Sequence, residues 1–164
     1  MNIFVLNEDP VLAAQEQCDK HVVKMVLETA QMLSIAHRVD DNATFEYLYK
    51  VTHLNHPCVK WVLQSKANYE WLYKHFVGLC DEYTKRYNKV HLSDKKLRDF
   101  LKNSPSNLPN LGLTPFPQAM PDEYRKKNPV EAYRTYYIKD KSYFAKWKSG
   151  NVPSWFTKEE VAWG

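Results

Sequence analysis

Two lysines, a histidine and a carboxylate recur at helical spacing near the start of this chain: Lys20, His21, Lys24 and Glu28. With Gln17 and Gln31, the residues His21, Lys24 and Glu28 fall on one stripe of a helix. Cations beside a carboxylate suit chemistry on a phosphate-bearing substrate. The cations hold phosphate, and the carboxylate moves a proton or steadies a developing positive charge. Lys20 and Lys24 lie one turn apart and repel each other slightly. The bland reading of such a stripe is a solvated face opposite an apolar one. Asp19 differs because it falls near the centre of the apolar stripe, where a carboxylate must be paired or hydrogen-bonded. It reads equally as the structural partner of an Arg or Lys elsewhere and as a site residue.

Two further groupings could carry chemistry. Cys18-x-x-His21 and His53-x-x-His56-x-Cys58 hold zinc-type ligands at zinc-type spacing. They lie on different elements, and Cys58 is more simply a core residue of a helix. The C-terminal third interleaves cations with aromatics: Tyr124 and Arg125, Arg134 and Tyr136, Lys146 and Trp147, then Trp155. Such a pattern can stack on bases while its charges meet phosphates. The plainer account is a Tyr/Phe/Trp core with lysines snorkelling round its edge. No phosphate-cradling Gly loop, nucleophile-elbow serine or CxxC pair is found.

These residues must be positioned by helices. Asp9 and Pro10 form a helix start, and one long helix is expected from Pro10 to about Arg38. Its apolar stripe is Leu12, Val22, Val23, Val26, Leu27, Ala30 and Leu33. A shorter helix is expected over Thr44 to Lys50. Asn55-His56-Pro57 opens a second long helix to about Asn88, with Gly78 inside it at a point of close packing. Ser93 is expected to cap a short helix ending at Lys102. Asn103 to Asn128 is a connection holding five of the nine prolines, a length that implies either a functional cover or a strap round the core. Asn128 caps a last, aromatic helix from Pro129 to Lys148, with Glu131 completing a capping box.

The bulk composition agrees. The chain of 164 residues is 44% hydrophobic and 26% charged, enough to bury one core as a single domain spanning 1–164. Four glycines are too few for a turn-rich barrel or sandwich, so the expectation is an all-α, compact single-domain helical bundle. A net charge of +4 permits a phosphate-bearing partner without requiring one. Three cysteines imply no disulfide framework and a reducing compartment. With no signal-peptide pattern and no apolar run of membrane length, a cytoplasmic protein without a membrane partner is expected.

The order of these features resembles the pyrimidine-dimer DNA glycosylases, the phage endonuclease V-type family of small helical repair enzymes. The likeness rests on the short apolar segment from Met1 to Leu6 and on His21 followed seven residues later by Glu28. It extends to Asn55-His56-Pro57, to the run Glu82 to Asn88, and to Val152-Pro153-Ser154-Trp155-Phe156. The resemblance implies a helical fold that bends duplex DNA and extrudes a nucleotide. It further implies an N-terminal α-amine that attacks the sugar C1′, releases the base through a Schiff base and then cleaves the strand. An ordinary α-amine, with a pKa near 8, is partly neutral near pH 7 and so can act as a nucleophile. The chain departs from the family at its start. There a small second residue leads to loss of Met, whereas Asn2 here is expected to leave Met1 in place. Lysines also stand where the family has arginines beside its carboxylate, and Lys is a point charge rather than a fork.

The leading expectation is therefore a DNA base-excision enzyme, an N-glycosylase with AP-lyase activity, acting on damaged or modified bases without cofactor or metal. Glu28 is its catalytic carboxylate and the Met1 amine its nucleophile. Nucleic-acid contacts are His21, Lys20, Lys24, Arg125, Arg134 and Lys146, with Asp19 and His56 as further site residues. Two alternatives stand beside it: a non-catalytic nucleic-acid binder using the basic-aromatic helix, and a small metal-binding hydrolase built on Cys18, His21, His53 and His56.

Overall fold

A computed structural model of the chain describes residues 1–148 and 150–157. Those residues form six α-helices and no strand: α1 (Pro10–Gln15), α2 (Asp19–Asp41), α3 (Pro57–Gln64), α4 (Lys66–Tyr87), α5 (Leu92–Leu101) and α6 (Pro129–Tyr136). The all-α bundle with two long helices, α2 and α4, is as expected. No helix among the described residues is long and apolar enough to cross a membrane.

The first long helix is interrupted. Asp9 caps α1 by accepting from the Val11 and Leu12 amides, but the helix stops at Gln15 and α2 begins afresh at Asp19. The break would strand the carbonyls that end a helix. Here they find partners far along the chain. The Arg86 guanidinium donates to the Gln15 and Gln17 carbonyls at 2.9 and 2.8 Å, and the Trp147 indole donates to Glu16 at 3.0 Å. Local periodicity carries no trace of such partners. Within α2 the buried face runs through His21, Val22, Met25, Val26, Thr29, Ala30 and Leu33. Val23 and Leu27, expected in the core, are 41% and 37% exposed, while Gln17 and His21, expected on the polar face, are buried.

The second long helix likewise divides at Ser65, which is extended and closes α3 while capping α4 through the Asn68 amide. The Asn68 side chain then donates to the Trp61 carbonyl, so one Ser and one Asn satisfy both helix ends. Thr44 to Lys50 is a turn rather than a helix, held by Arg38, whose guanidinium binds the Tyr49 and Leu48 carbonyls at 2.7 Å each. The cap of α5 is His91, not Ser93, and that helix ends at Leu101. Asn128 does cap α6, but the last helix ends at Tyr136 and widens into a π-helical turn, Tyr137–Lys141, well short of Lys148.

α4 lies against both α1 and α2. At Gly78 the α1–α4 approach is so close that an added Cβ would meet the Ala14 Cβ at 2.9 Å. The N-terminal segment threads into the core: Ile3, Val5 and Leu6 are fully buried. Phe4 sits in the left-handed region at φ 56°, a cost of about 1–2 kcal/mol for a non-glycine residue. Burial of its three neighbours, each worth about 1.5–3 kcal/mol, outweighs that cost. The proline-rich connection is a strap across this segment, as one of the two expectations for it had it. Its Pro117 carbonyl accepts from Tyr133, and its Ala119 carbonyl accepts from the Asn2 side chain at 2.8 Å.

Candidate active site

Threading the first six residues through the core fixes where the chain's amino group lies. Asn2 clamps the turn: its Oδ1 accepts from the Ile3 and Phe4 amides at 2.7 and 3.3 Å while its Nδ2 reaches the strap. The Met1 nitrogen is thereby held 3.2 Å from Glu28 Oε1. Glu28 stands on the middle of α2, 13% exposed, and its second oxygen, Oε2, lies 3.7 Å from Lys24 Nζ. That oxygen is buried and has no hydrogen-bond partner among the described residues. Buried carboxylate oxygens are ordinarily satisfied, so an open acceptor beside an amine marks a place for a ligand.

His56 closes the site from the other side. Its Nδ1 accepts from the Cys58 amide at 3.0 Å as the cap of α3. The imidazole is pushed below its usual range by burial, by the Met1 ammonium and by His53, against a hydrogen bond to the Met1 backbone and the pull of Glu28. Cys58, fully buried nearby, has its thiol pushed up to about 12 by burial, so it packs as a neutral side chain beside the amine.

Lys20 and Lys24 continue along the exposed stripe of α2 toward its N-terminus. Lys20 Nζ lies over the Phe144 ring at 4.6 Å, and Lys141, from the π-helical turn, lies over Tyr136 at 4.8 Å and Phe144 at 5.9 Å. The outcome is a basic edge with aromatic faces. Lys141 belongs to the basic-aromatic C-terminal run of the sequence, and the widened turn brings it here. His21 supports this edge from beneath. It is 5% exposed, stacked on Phe4 at 4.1 Å, and its Nδ1 is 2.6 Å from the Tyr137 hydroxyl. Burial, with Lys141, Lys24 and Lys20 nearby, pushes its imidazole down to about 3, so it is neutral and offers no charge to a phosphate.

The remaining named residues lie elsewhere. Asp19 accepts from Arg86 at 3.1 Å and from the Lys148 amide at 3.0 Å, a structural pairing. Arg134 donates to the Leu6 carbonyl at 2.9 Å and lies over Trp155 at 5.4 Å, so it is largely committed to the fold. Arg125 is exposed beside Asp122, and Lys146 is exposed. The zinc-type donors are not brought together: Cys18 and His21 both meet Tyr137, His53 Nδ1 meets the Thr52 hydroxyl, and His56 caps α3. Among the described residues no three His, Cys, Asp or Glu side chains group as a metal set.

Residues 1–95 match the sequence model of the pyrimidine dimer DNA glycosylase family. The chain belongs to that family. The match covers more than half of the chain and includes the Met1 amine, the Glu28 carboxylate it meets, Lys24 beside that carboxylate's second oxygen, and His56. Membership supports a DNA glycosylase function, with DNA as substrate. No curated protein and no solved structure shows a match to the chain.

Proposed function

We propose that this glycosylase works through a covalent Schiff base formed by its own Met1 α-amine, with Glu28 as the proton-handling carboxylate. The observation that carries the reading is the 3.2 Å contact between the Met1 nitrogen and Glu28 Oε1, beside a buried Oε2 that no described residue satisfies. The ammonium gives a proton to Glu28 and becomes a nucleophile. The amine attacks C1′ of the target deoxyribose, the glycosidic C–N bond breaks, and the base departs with its bonding pair. Opening of the C1′–O4′ bond leaves an iminium between C1′ and the Met1 nitrogen; the departing base carries off the proton that the attacking nitrogen sheds, and O4′ takes the proton that Glu28 had accepted, which returns Glu28 to a carboxylate. Glu28 then removes a proton from C2′, and elimination breaks the C3′–O3′ bond, which is the AP-lyase step.

Retention of Met1 fits this geometry. The nucleophile needs a buried, pre-oriented amine, since orientation supplies much of the rate advantage of an enzyme-bound group. Asn2 provides it with three hydrogen bonds, in place of the small second residue found in the family. Lys20, Lys24 and Lys141 would meet the phosphates that flank the extruded nucleotide, while Arg125 and Lys146 would extend the contact along the duplex.

Borohydride trapping on an end-labelled duplex bearing an abasic site tests this reading. A covalent protein–DNA band is expected, lost when residues are appended ahead of Met1 or the amine is acetylated. A band that persists with the amine blocked, on a lysine for example, would overturn the assignment of the nucleophile. Base release with no trappable species would overturn the Schiff base.

A further inference from the structure

A terminal amine is anchored by the chain from one side only, so its place depends on Asn2 and on whatever holds Asn2. The Asn2 side chain donates to the Ala119 carbonyl of the strap at 2.8 Å. We propose that Tyr133, on α6, is a positioning residue for the Met1 amine, acting through strap residues 117–119 and Asn2. The assignment rests on the Schiff-base reading above and adds to it what holds the attacking nitrogen in place. Tyr133 and the strap lie beyond residues 1–95, outside the family match.

Geometry is the first argument. The Tyr133 hydroxyl donates to the Pro117 carbonyl at 2.7 Å and accepts from the Ala119 amide at 3.2 Å. One oxygen thus fixes the strap on both sides of Gln118. Ala119 is held by its N–H from α6 and offers its C=O to Asn2. Asn2 Oδ1 in turn accepts from the Ile3 and Phe4 amides, and the Met1 nitrogen stands 3.2 Å from Glu28 Oε1. An unbroken run of hydrogen bonds and one short stretch of chain therefore link the Tyr133 hydroxyl to the amine.

Rigidity is the second. Tyr133 is fully buried, with its ring edge-on to Phe4 at 6.2 Å. The next residue, Arg134, donates to the Leu6 carbonyl at 2.9 Å. Adjacent residues of α6 therefore grip the strap and the N-terminal segment, so the two are mounted on one support. Gln118 ties the strap from its other side. Its side chain accepts from the Lys126 amide at 2.9 Å and donates to the Lys126 carbonyl at 2.6 Å. Burial pushes the Tyr133 hydroxyl above its usual range, so it stays a neutral donor and acceptor and serves placement rather than proton transfer.

Attack on C1′ needs an aligned lone pair, and a misplacement of about 1 Å can cost about 10²-fold in rate. Tyr133→Phe removes one oxygen and keeps the ring, but it also orphans two backbone groups, which lowers stability whatever the hydroxyl does for the amine. A matched control separates the two effects. Tyr69 is also fully buried, and its hydroxyl donates to the Leu101 carbonyl at 2.7 Å and lies 2.9 Å from His37 Nε2. His37 is nine residues from Glu28, about 13.5 Å along α2, so Tyr69→Phe deletes the same atom far from the amine.

Borohydride time courses on a saturating abasic-site duplex give the rate of Schiff-base formation, gel shifts give affinity, and thermal denaturation gives the midpoint. Tyr133→Phe is expected to lower the rate at least about tenfold with affinity within about twofold. Tyr69→Phe, with a comparable fall in midpoint, should leave the rate within about twofold. Asn2→Asp keeps the acceptor of the clamp and removes its donor to Ala119, and should also slow the reaction. Adding Tyr133→Phe to it should cost less than about threefold more, because both changes break one link. Equal slowing by the two tyrosine variants, an unchanged rate in Tyr133→Phe, or a fully additive double variant would overturn the positioning role. Should Tyr133→Phe fail to fold, an unchanged rate in Asn2→Asp would overturn it instead. If the unaltered protein forms no band that depends on a free Met1 amine, the Schiff-base reading itself falls and the positioning role with it.

Discussion

Two charged clusters lie on the same helix, nine residues apart, and are built to opposite rules. At the start of α2, Asp19 meets Arg86, which also meets Glu82 and two backbone carbonyls; every arm of the guanidinium is used, and its side chain is 1% exposed. In the middle of α2, Glu28 meets the Met1 amine and Lys24, and one buried oxygen remains open. Both clusters bury charge. The first satisfies it fully, which is what a structural ion network needs. The second leaves an acceptor open beside a potential nucleophile, a local deficit that functional sites tolerate. Completeness of hydrogen bonding, rather than burial or charge, distinguishes them.

That contrast is broken first by removing one partner from each. Arg86→Leu leaves Asp19 and Glu82 facing each other beside two orphaned carbonyls, and a loss of about 3–5 kcal/mol is expected. Thermal denaturation would show it as a fall in midpoint of ten degrees or more, or as failure to accumulate folded protein. Glu28→Gln should lower abasic-site trapping and base release by about 10²–10⁴, the usual worth of a positioned acid–base group, while the melting midpoint moves by only a few degrees. Should Glu28→Gln unfold the protein and Arg86→Leu merely slow it, the two clusters would have to exchange roles.

Acid sharpens the comparison next. His75, beside the saturated cluster, is fully buried, with its Nδ1 2.8 Å from the Pro10 carbonyl and its Nε2 3.1 Å from the Gln17 amide. Burial pushes it down to about 4, and His21 to about 3. A histidine depressed in the folded state is protonated first in the unfolded chain. The stability it contributes is complete above about pH 6.5 and declines as pH falls toward the folded value, at up to about 1.4 kcal/mol per pH unit for each group. Chemical denaturation at pH 7.5, 6 and 5 should therefore show stability falling with acid. Replacing His75 with Gln should flatten about half of the slope. A flat profile in the unaltered protein would mean that neither ring stays neutral.

Much of this architecture was legible in the sequence, for local reasons. Asp9-Pro10, His56-Pro57 and Asn128-Pro129 are start signals whose physics acts within a few residues, and each opens a helix here. Gly78 marked the close α1–α4 approach. The interruptions were not legible, because the groups that make them tolerable lie far away: Arg86 and Trp147 hold the break before α2, and the strap's Pro109 carbonyl receives the Lys66 amide at the start of α4. Centring the apolar stripe of α2 on Val23 and Leu27 rather than on Val22, Met25 and Thr29 puts His21 on the solvent face and Leu27 inside, the reverse of their burial here. Glu28 was found by its spacing from His21, and its contact with the Met1 amine followed only once the strap and Asn2 were placed. Lys141 was legible as one cation of the basic-aromatic run, but its place over Tyr136 and Phe144 beside Lys20 belongs to tertiary structure.

The smallest effect concerns Lys24, where the two rules meet. Its ammonium is 64% exposed and 3.7 Å from Glu28 Oε2, so as an i,i+4 surface pair it is worth only about 0.3–0.5 kcal/mol to the fold. Lys24→Ala should leave the melting midpoint within a degree or two. If Lys24 instead serves DNA, its removal lowers the slope of log affinity against log salt by about one unit, the signature of one lost phosphate contact. The same variant leaves Oε2 without a neighbouring cation, so any fall in trapping rate at saturating DNA measures what the lysine does for Glu28 as opposed to the phosphate. An unchanged salt slope with a slower trapping step would move Lys24 from the DNA edge into the support of the carboxylate. An unchanged rate with a reduced slope would leave Glu28 and the Met1 amine as a self-sufficient pair.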